Sequence, residues 1–183
     1  VIRDDDTTTM LVAYHSDPFV IDWDDDGDLD LLSGTSSGGV QWAENRAGPG
    51  KAPQLASFKW LIEPGPRVEY GELLSEDELT GPVSATRVWV DDVNSDGKLD
   101  LLVGDPVTLV SAAGDLTREE FQQKFSDWRK AMEAVSAERR AALDADDDTR
   151  RQASLQRFQE LYRQRSEFMN EDRTGFVWLY VQK

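Results

Sequence analysis

Two acidic loops in this chain have residue types and spacing suited to binding a hard metal cation. Residues 19–34 and residues 89–104 each contain an apolar run, a loop of the form D-x-[DN]-x-D-G-x-x-D, and a second apolar run that ends in Gly. Ca²⁺ takes roughly six to eight oxygen ligands at about 2.3–2.6 Å, and a short loop supplies them only if alternate residues turn inward around a sharp bend. The pattern therefore predicts two calcium loops, each set between two strands.

The spacing assigns four ligand side chains, one backbone carbonyl and one glycine bend to each loop. In the first loop these are the side chains of Asp22, Asp24, Asp26 and Asp30, the carbonyl of Asp28 and the bend at Gly27. In the second loop they are the side chains of Asp92, Asn94, Asp96 and Asp100, the carbonyl of Lys98 and the bend at Gly97.

Three other interpretations of the loops fit less well. An EF-hand needs a bidentate Glu at position twelve and flanking helices, whereas position twelve is Ser33 in the first loop and Val103 in the second. Mg²⁺ prefers strict octahedral geometry and keeps its waters. Acidic turns are common surface loops, but two copies in matching strand contexts favour a metal-binding role.

The composition limits the class of protein. The chain has 183 residues, enough for one domain of ordinary size, and a formal net charge of −16. That charge argues against nucleic acid or an anionic membrane as a partner. No apolar run approaches the length of a transmembrane helix. The chain has no Cys and begins with Val1, and we expect it to be a piece of a longer protein.

The apolar runs indicate two β repeats separated by a connection. Alternation and turn residues predict an antiparallel sheet of three or four strands in residues 1–63. Residues 64–86 are predicted to be a connection, with a solvated acidic run at 72–78. The second repeat is assigned to residues 87–115 and 172–183. Its predicted strands cover residues 87–90, 99–103 and 175–181, with 106–110 as a candidate next strand.

Residues 116–171 have a helical period and are predicted to be an insertion in the second repeat. Thr117 and Glu120 form a capping box, across which Leu116 and Phe121 are placed as a hydrophobic staple. The apolar spacing then indicates a coiled-coil seam on two helices that pack as an antiparallel hairpin. The seam residues are Phe121, Phe125, Trp128, Met132 and Val135, followed by Leu155, Phe158, Tyr162, Arg165 and Met169.

Residues 18–45 and 87–104 resemble the FG-GAP/VCBS-type repeats of integrin-like β-propellers, in which an Asp-rich calcium loop joins the first two strands of a blade. The resemblance implies a mainly β fold with two β-propeller-like blades, and a secreted protein of extracellular or periplasmic location, of the kind found in bacteria. The resemblance also implies that the metal ligands of this family fall on the ligand side chains named above. A clear Phe-Gly and Gly-Ala-Pro signature is missing, so the VCBS-like subtype is nearer.

Three functions follow as expectations. The first is a non-catalytic, calcium-stabilised propeller segment for cell adhesion, extracellular assembly or ligand display, with self-association or further blades completing the ring. The second is carbohydrate binding or an accessory role in a polysaccharide-active enzyme, with Trp23, Trp42, Trp60, Trp89 and Trp178 as stacking faces. The third makes the helical hairpin a protein-docking element. The only His, His15, supports no catalytic set.

Overall fold

A computed structural model of the chain describes residues 2–4, 7–9 and 17–183. The described residues contain nine strands and two α-helices. In chain order the strands are β1 (Ile2–Asp4), β2 (Thr7–Thr9), β3 (Asp17–Ile21), β4 (Asp30–Gly34), β5 (Val40–Ala43), β6 (Lys59–Ile62), β7 (Arg87–Asp91), β8 (Asp100–Ala112) and β9 (Met169–Tyr180). The helices are α1 (Arg118–Asp144) and α2 (Asp148–Arg165).

The chain divides into two compact units. The first comprises Val1–Glu69, Glu76–Thr108 and Arg173–Lys183, and the second comprises Tyr70–Ser75 and Leu109–Asp172. Two of the four boundaries between the units fall inside β8 and β9, and the other two lie at residues 69–70 and 75–76. Among the described residues, no helix combines the length and the apolar character needed to cross a membrane.

The first sheet is an antiparallel meander in the order β3-β4-β5-β6. The second sheet has the order β7-β8-β9, and β7 pairs antiparallel with β8. The predicted class is therefore confirmed at the level of two antiparallel sheets and two helices. Within the described part of the chain the sheets do not close into a propeller. A separate two-stranded pair, β1 with β2, precedes them and was not predicted.

The two sheets share one apolar core in the first unit. Alternate residues of β7 are buried, as expected for a strand with one covered face. The buried members of this core are Leu32, Val40, Val88, Val90, Leu101 and Val103. Burying a side chain of this size contributes about 1.5–3 kcal/mol, so the core is a major source of stability for the first unit.

A polar contact between the sheets reinforces this core. Thr86 is fully buried, and its hydroxyl accepts the backbone N–H of Thr35 at 2.7 Å and lies 2.6 Å from the carbonyl oxygen of Gly39, to which it donates. The approach is close because Gly34 has no side chain: a Cβ there would lie 2.1 Å from the carbonyl oxygen of Thr86. A glycine is therefore required at the end of β4.

Strand β8 differs from the prediction. Residues 106–110 were a candidate separate strand, but the structure places them in the same strand as residues 100–104. Pro106 interrupts the apolar run and suggested a break. It lies beyond Gly104, the last residue of β8 in register with β7, so its missing N–H removes no bond to β7.

The second unit contains the antiparallel helical hairpin. Trp128 on α1 donates its indole N–H to the carbonyl oxygen of Leu161 on α2 at 2.8 Å, and Arg157 pairs with Glu138 at 2.7 Å. The predicted capping box at Thr117 is present. Phe121, Trp128 and Val135 are buried along α1, as the seam predicts.

The predicted seam on α2 is wrong by one residue at two of its positions, whereas Phe158 and Arg165 are half-buried as the seam predicts. Leu155 and Tyr162 are 42% and 44% exposed, whereas Ser154 is buried and Leu161 packs against the core of the unit. Met169, predicted as the last seam residue, begins β9 instead. Ser154 and Leu161 therefore lie on the covered side of α2, while Tyr162, whose ring meets that of Trp128 edge-on with centroids 6.1 Å apart, stays partly exposed.

The acidic run at residues 72–78 is only partly a solvated loop. Glu76–Glu78 forms an exposed 3₁₀ turn, as expected for a solvated segment. In the second unit, however, Leu73 packs against the core that contains Phe121, and Leu74 forms a β-bridge with Val110. The two leucines therefore anchor a segment that its charge alone suggested to be free.

Two candidate metal-binding loops

The two acidic loops occupy equivalent positions in the two sheets. The first follows the last pair of the β3–β4 hairpin, Ile21 with Asp30, and the second follows the last pair of β7–β8, Asp91 with Asp100. In each loop the backbone adopts a positive, left-handed φ angle at the fourth and sixth positions. The φ angles there are 61° at Asp25 and 90° at Gly27, and 60° at Ser95 and 85° at Gly97. The loops therefore share one backbone conformation.

In the first loop, carboxylates hold the backbone in place. Asp22 accepts the backbone N–H of Asp26 at 3.1 Å through one oxygen and that of Gly27 at 3.0 Å through the other. Asp26 in turn accepts the N–H of Asp28 at 3.0 Å. Because these side chains must turn into the loop to accept the bonds, their oxygens collect on its inner side.

The second loop repeats these bonds position by position. Asp92 accepts the N–H of Asp96 at 3.0 Å and that of Gly97 at 2.9 Å, and Asp96 accepts the N–H of Lys98 at 2.9 Å. Among the four predicted ligand side chains one differs, because Asn94 stands where the first loop has Asp24. Its amide donates to Asp96 at 3.1 Å, so an internal hydrogen bond replaces a repulsion between carboxylates.

The first loop brings three predicted ligands together. Asp22, Asp24 and Asp26 each have a carboxylate oxygen within 4.8 Å of the others. Burial, followed by the negative charges of Asp30 and Asp26, raises the pKa of Asp24. The electrostatic field at this point therefore favours a cation, which would relieve the repulsion among the carboxylates.

Asp30 and Asp100 close their loops. Both are almost fully buried, and each accepts the backbone N–H of the residue at position two of its own loop. Asp30 accepts that of Trp23 at 3.2 Å, and Asp100 accepts that of Val93 at 3.1 Å. A carboxylate oxygen that accepts one N–H retains a further lone pair. Their predicted role as metal ligands thus stays a prediction, and their structural role is an additional finding.

The second oxygen of each closing aspartate reaches the end of the third strand. Asp30 accepts the N–H of Asn45 at 2.6 Å, just after β5, and Asp100 accepts the N–H of Gln182 at 3.0 Å, just after β9. Strand β9 is therefore the counterpart of β5. The sequence contained no signal for Asn45 or Gln182, because any residue except proline offers this backbone N–H.

Asp28 and Lys98, predicted to contribute backbone carbonyls, differ in their side chains. Asp28 is 5% exposed, and one of its oxygens accepts the N–H of Gly48 at 2.6 Å. Its other oxygen has no hydrogen-bond partner in the described part of the chain. Lys98 is exposed. The first loop therefore carries a buried, partly unsatisfied negative charge that the second lacks.

The sequence also suggested His15 and five tryptophans as candidate functional residues. His15 lies outside the described residues. Of the five tryptophans considered as stacking faces, Trp60 and Trp89 expose more than a third of their surface, at 39% and 59%. They belong to different sheets.

The chain matches none of the protein families, characterised proteins or solved structures with which it was compared. The geometry of the two loops is therefore the basis for assigning a function.

Proposed function

We propose that this chain is a non-catalytic, calcium-stabilised pair of β-propeller-like blades of the FG-GAP/VCBS type, serving extracellular adhesion, assembly or ligand display. One observation carries the proposal: two loops that are 70 positions apart in the sequence share the same backbone conformation and the same hydrogen bonds. Two independent surface turns have no physical reason to agree in this detail. A common requirement to present oxygens to a cation supplies one.

A structural role for the metal follows from where the loops lie. Each loop joins two neighbouring strands, and its closing aspartate also bonds to the residue after the third strand. A cation held by the loop would therefore stabilise three strands together. If it binds only the folded state, a cation at about 100 times its dissociation constant adds about 2.7 kcal/mol for each site.

Calcium fits the loops better than magnesium. The candidate oxygens come from a largely exposed loop rather than from a compact octahedral cage. Extracellular calcium modules bind with dissociation constants of roughly 10⁻⁴–10⁻³ M, and we expect these loops to fall near that range.

The test is isothermal calorimetry with Ca²⁺, combined with thermal melts in Ca²⁺ and in chelator. We expect two sites and a higher melting temperature in Ca²⁺ than in chelator. Asp26→Asn should remove one site. The asparagine oxygen still accepts the N–H of Asp28, so the variant alters the charge with little change to the loop.

Asp25→Asn is the matched control. Asp25 lies in the same loop, outside the cluster of Asp22, Asp24 and Asp26, and its φ of 61° is one that asparagine tolerates. This variant loses the same charge as Asp26→Asn but removes no predicted ligand, so it should keep both sites. A folded chain that binds no Ca²⁺ at millimolar concentration would overturn the proposal, as would Asp26→Asn retaining two sites.

The alternative functions draw less support. Carbohydrate stacking needs aromatic faces on one surface, whereas Trp60 and Trp89 lie on different sheets. Docking through the helical hairpin needs an unpartnered apolar stripe, whereas Phe121, Trp128 and Val135 are buried within the second unit.

A further inference from the structure

The two candidate metal loops differ in charge although they share one backbone conformation. The first loop, residues 22–30, contains six aspartates and no basic residue, so its formal charge is −6. The second loop, residues 92–100, contains three aspartates and one lysine, so its formal charge is −2. The affinity of a calcium loop depends on the number of charged ligands and on the rigidity of the site. The charges therefore favour tighter binding at the first loop.

The arrangement of the oxygens differs in the same direction. In the first loop Asp22, Asp24 and Asp26 bring their carboxylate oxygens within 4.8 Å of one another. In the second loop the amide of Asn94 donates to Asp96 at 3.1 Å, and its oxygen accepts the backbone N–H of Asp96 at 2.9 Å. A cation entering the second loop would thus meet fewer charges, and it would compete with hydrogen bonds already made there.

A separate segment, residues 45–54, lies against the first loop and is called the cover segment here. It is closed on itself by hydrogen bonds. The N–H of Arg46 donates to the carbonyl of Gln54 at 3.0 Å, and the side-chain oxygen of Asn45 accepts the N–H groups of Ala47 and Gln54 at 3.2 and 2.9 Å. These bonds give the cover segment a defined shape outside the helices and strands.

The cover segment holds the second half of the first loop. Gly48 donates its N–H to the carboxylate of Asp28 at 2.6 Å, and the amide of Asn45 donates to the carbonyl of Leu29 at 3.2 Å. Asp28 is 5% exposed, and its other oxygen has no hydrogen-bond partner in the described part of the chain. A buried carboxylate of this kind is costly, and a cation held in the same loop would offset its charge.

The second loop lacks an equivalent cover among the described residues. A Cβ placed on Gly27, at the bend of the first loop, would lie 3.0 Å from a side-chain carbon of Pro49 in the cover segment. A Cβ placed on Gly97, at the bend of the second loop, would contact nothing among the described residues within 4 Å. Lys98, which stands where the first loop has Asp28, is exposed. The second loop therefore has fewer contacts to hold it in shape before a cation binds.

We propose that the two loops bind calcium unequally, and that the first has a dissociation constant at least about tenfold lower than the second. At calcium concentrations between the two constants the first loop is filled and the second is largely empty. The first cation is then a permanent part of the first sheet, whereas the second loop responds to the calcium concentration. Because Asp100 also bonds to Gln182 after β9, that response acts on the second sheet. The inference rests on the proposed function, since both loops must bind calcium for it to hold.

Two-dimensional ¹H–¹⁵N NMR of the whole chain during a calcium titration tests the order of filling. The amides of Gly27 and Gly97 are matched reporters, because they donate to the first aspartate of their own loops at 3.0 and 2.9 Å. We expect the Gly27 signal to reach its final position at a calcium concentration at least about tenfold lower than the Gly97 signal.

The titration separates the two ways of being wrong. If neither amide shifts at millimolar calcium, the proposed function itself fails. If both shift over the same concentration range, or Gly97 shifts first, calcium binding stands and the unequal filling is refuted. The wild-type chain decides this without any variant.

Three variants test the cause of the difference, after far-UV circular dichroism has established that each is folded. Asp28→Asn removes the buried charge while its oxygen can still accept the N–H of Gly48, so it should weaken the first loop by about three- to tenfold and leave the second unchanged. Asp25→Asn removes an equal charge from an exposed position, where solvent and salt screen it, and should weaken the first loop less. Lys98→Asp should tighten the second loop alone. A folded Asp28→Asn chain whose first loop binds as in wild type would refute the role assigned to Asp28.

Discussion

Replacing Thr86 by valine tests the polar contact that joins the two sheets. The substitution keeps the shape of the side chain but removes a hydroxyl that is fully buried. That hydroxyl accepts the N–H of Thr35 at 2.7 Å and lies 2.6 Å from the carbonyl oxygen of Gly39, to which it donates. Both groups would lose this partner in the core, although the bond from the N–H of Thr86 to the carbonyl of Thr35 remains.

The expected cost follows from these two lost bonds. A buried N–H left without an acceptor costs about 1–3 kcal/mol, and a lost bond to a carbonyl costs about 0.5–1.5 kcal/mol. Thr86→Val should therefore lower the free energy of unfolding of the first unit by about 2–4 kcal/mol. Urea denaturation followed by tryptophan fluorescence measures it, because five of the six tryptophans lie in this unit and only Trp128 lies in the other.

Two controls separate the hydroxyl from other effects. Thr86→Ser keeps the hydroxyl and loses one methyl, which should cost about 1 kcal/mol. Ser84→Ala removes an exposed hydroxyl that donates to the carbonyl of Pro106, and it should change stability by less than about 0.5 kcal/mol. If Thr86→Val were no more destabilising than Ser84→Ala, the reasoning about the buried hydrogen bonds would be refuted.

Three further predictions concern single positions. Asn94→Asp should raise the calcium affinity of the second loop in calorimetry by adding a carboxylate, and unchanged or weaker binding would contradict the assigned ligand set. Gly71→Ala should destabilise the second unit by about 2–4 kcal/mol in thermal melts, because its φ is +81° and a Cβ would lie 1.9 Å from Phe125. Gly114→Ala, where φ is +61° and a Cβ would contact nothing among the described residues within 4 Å, should cost clearly less. Thr117→Ala should cost about 1 kcal/mol by removing the helix cap, measured as helical ellipticity against urea, and no loss would contradict the capping box.

The sequence by itself determined the features that depend on neighbouring residues. The two loops, the strands on either side of them and the capping box of α1 follow from turn chemistry, alternation and capping, all of which act within about ten residues. For this reason the positions of Asp22, Asp26 and Gly27 were predictable, as was the start of α1.

Only the tertiary structure decided which distant segments meet. It placed β9 in the position of β5, because the N–H of Gln182 bonds to Asp100 as that of Asn45 bonds to Asp30. A backbone group makes that bond, so no side-chain pattern encodes it. The burial of Thr86 and the seam of α2 were likewise decided by packing partners far along the chain. Local periodicity carries no information about such partners.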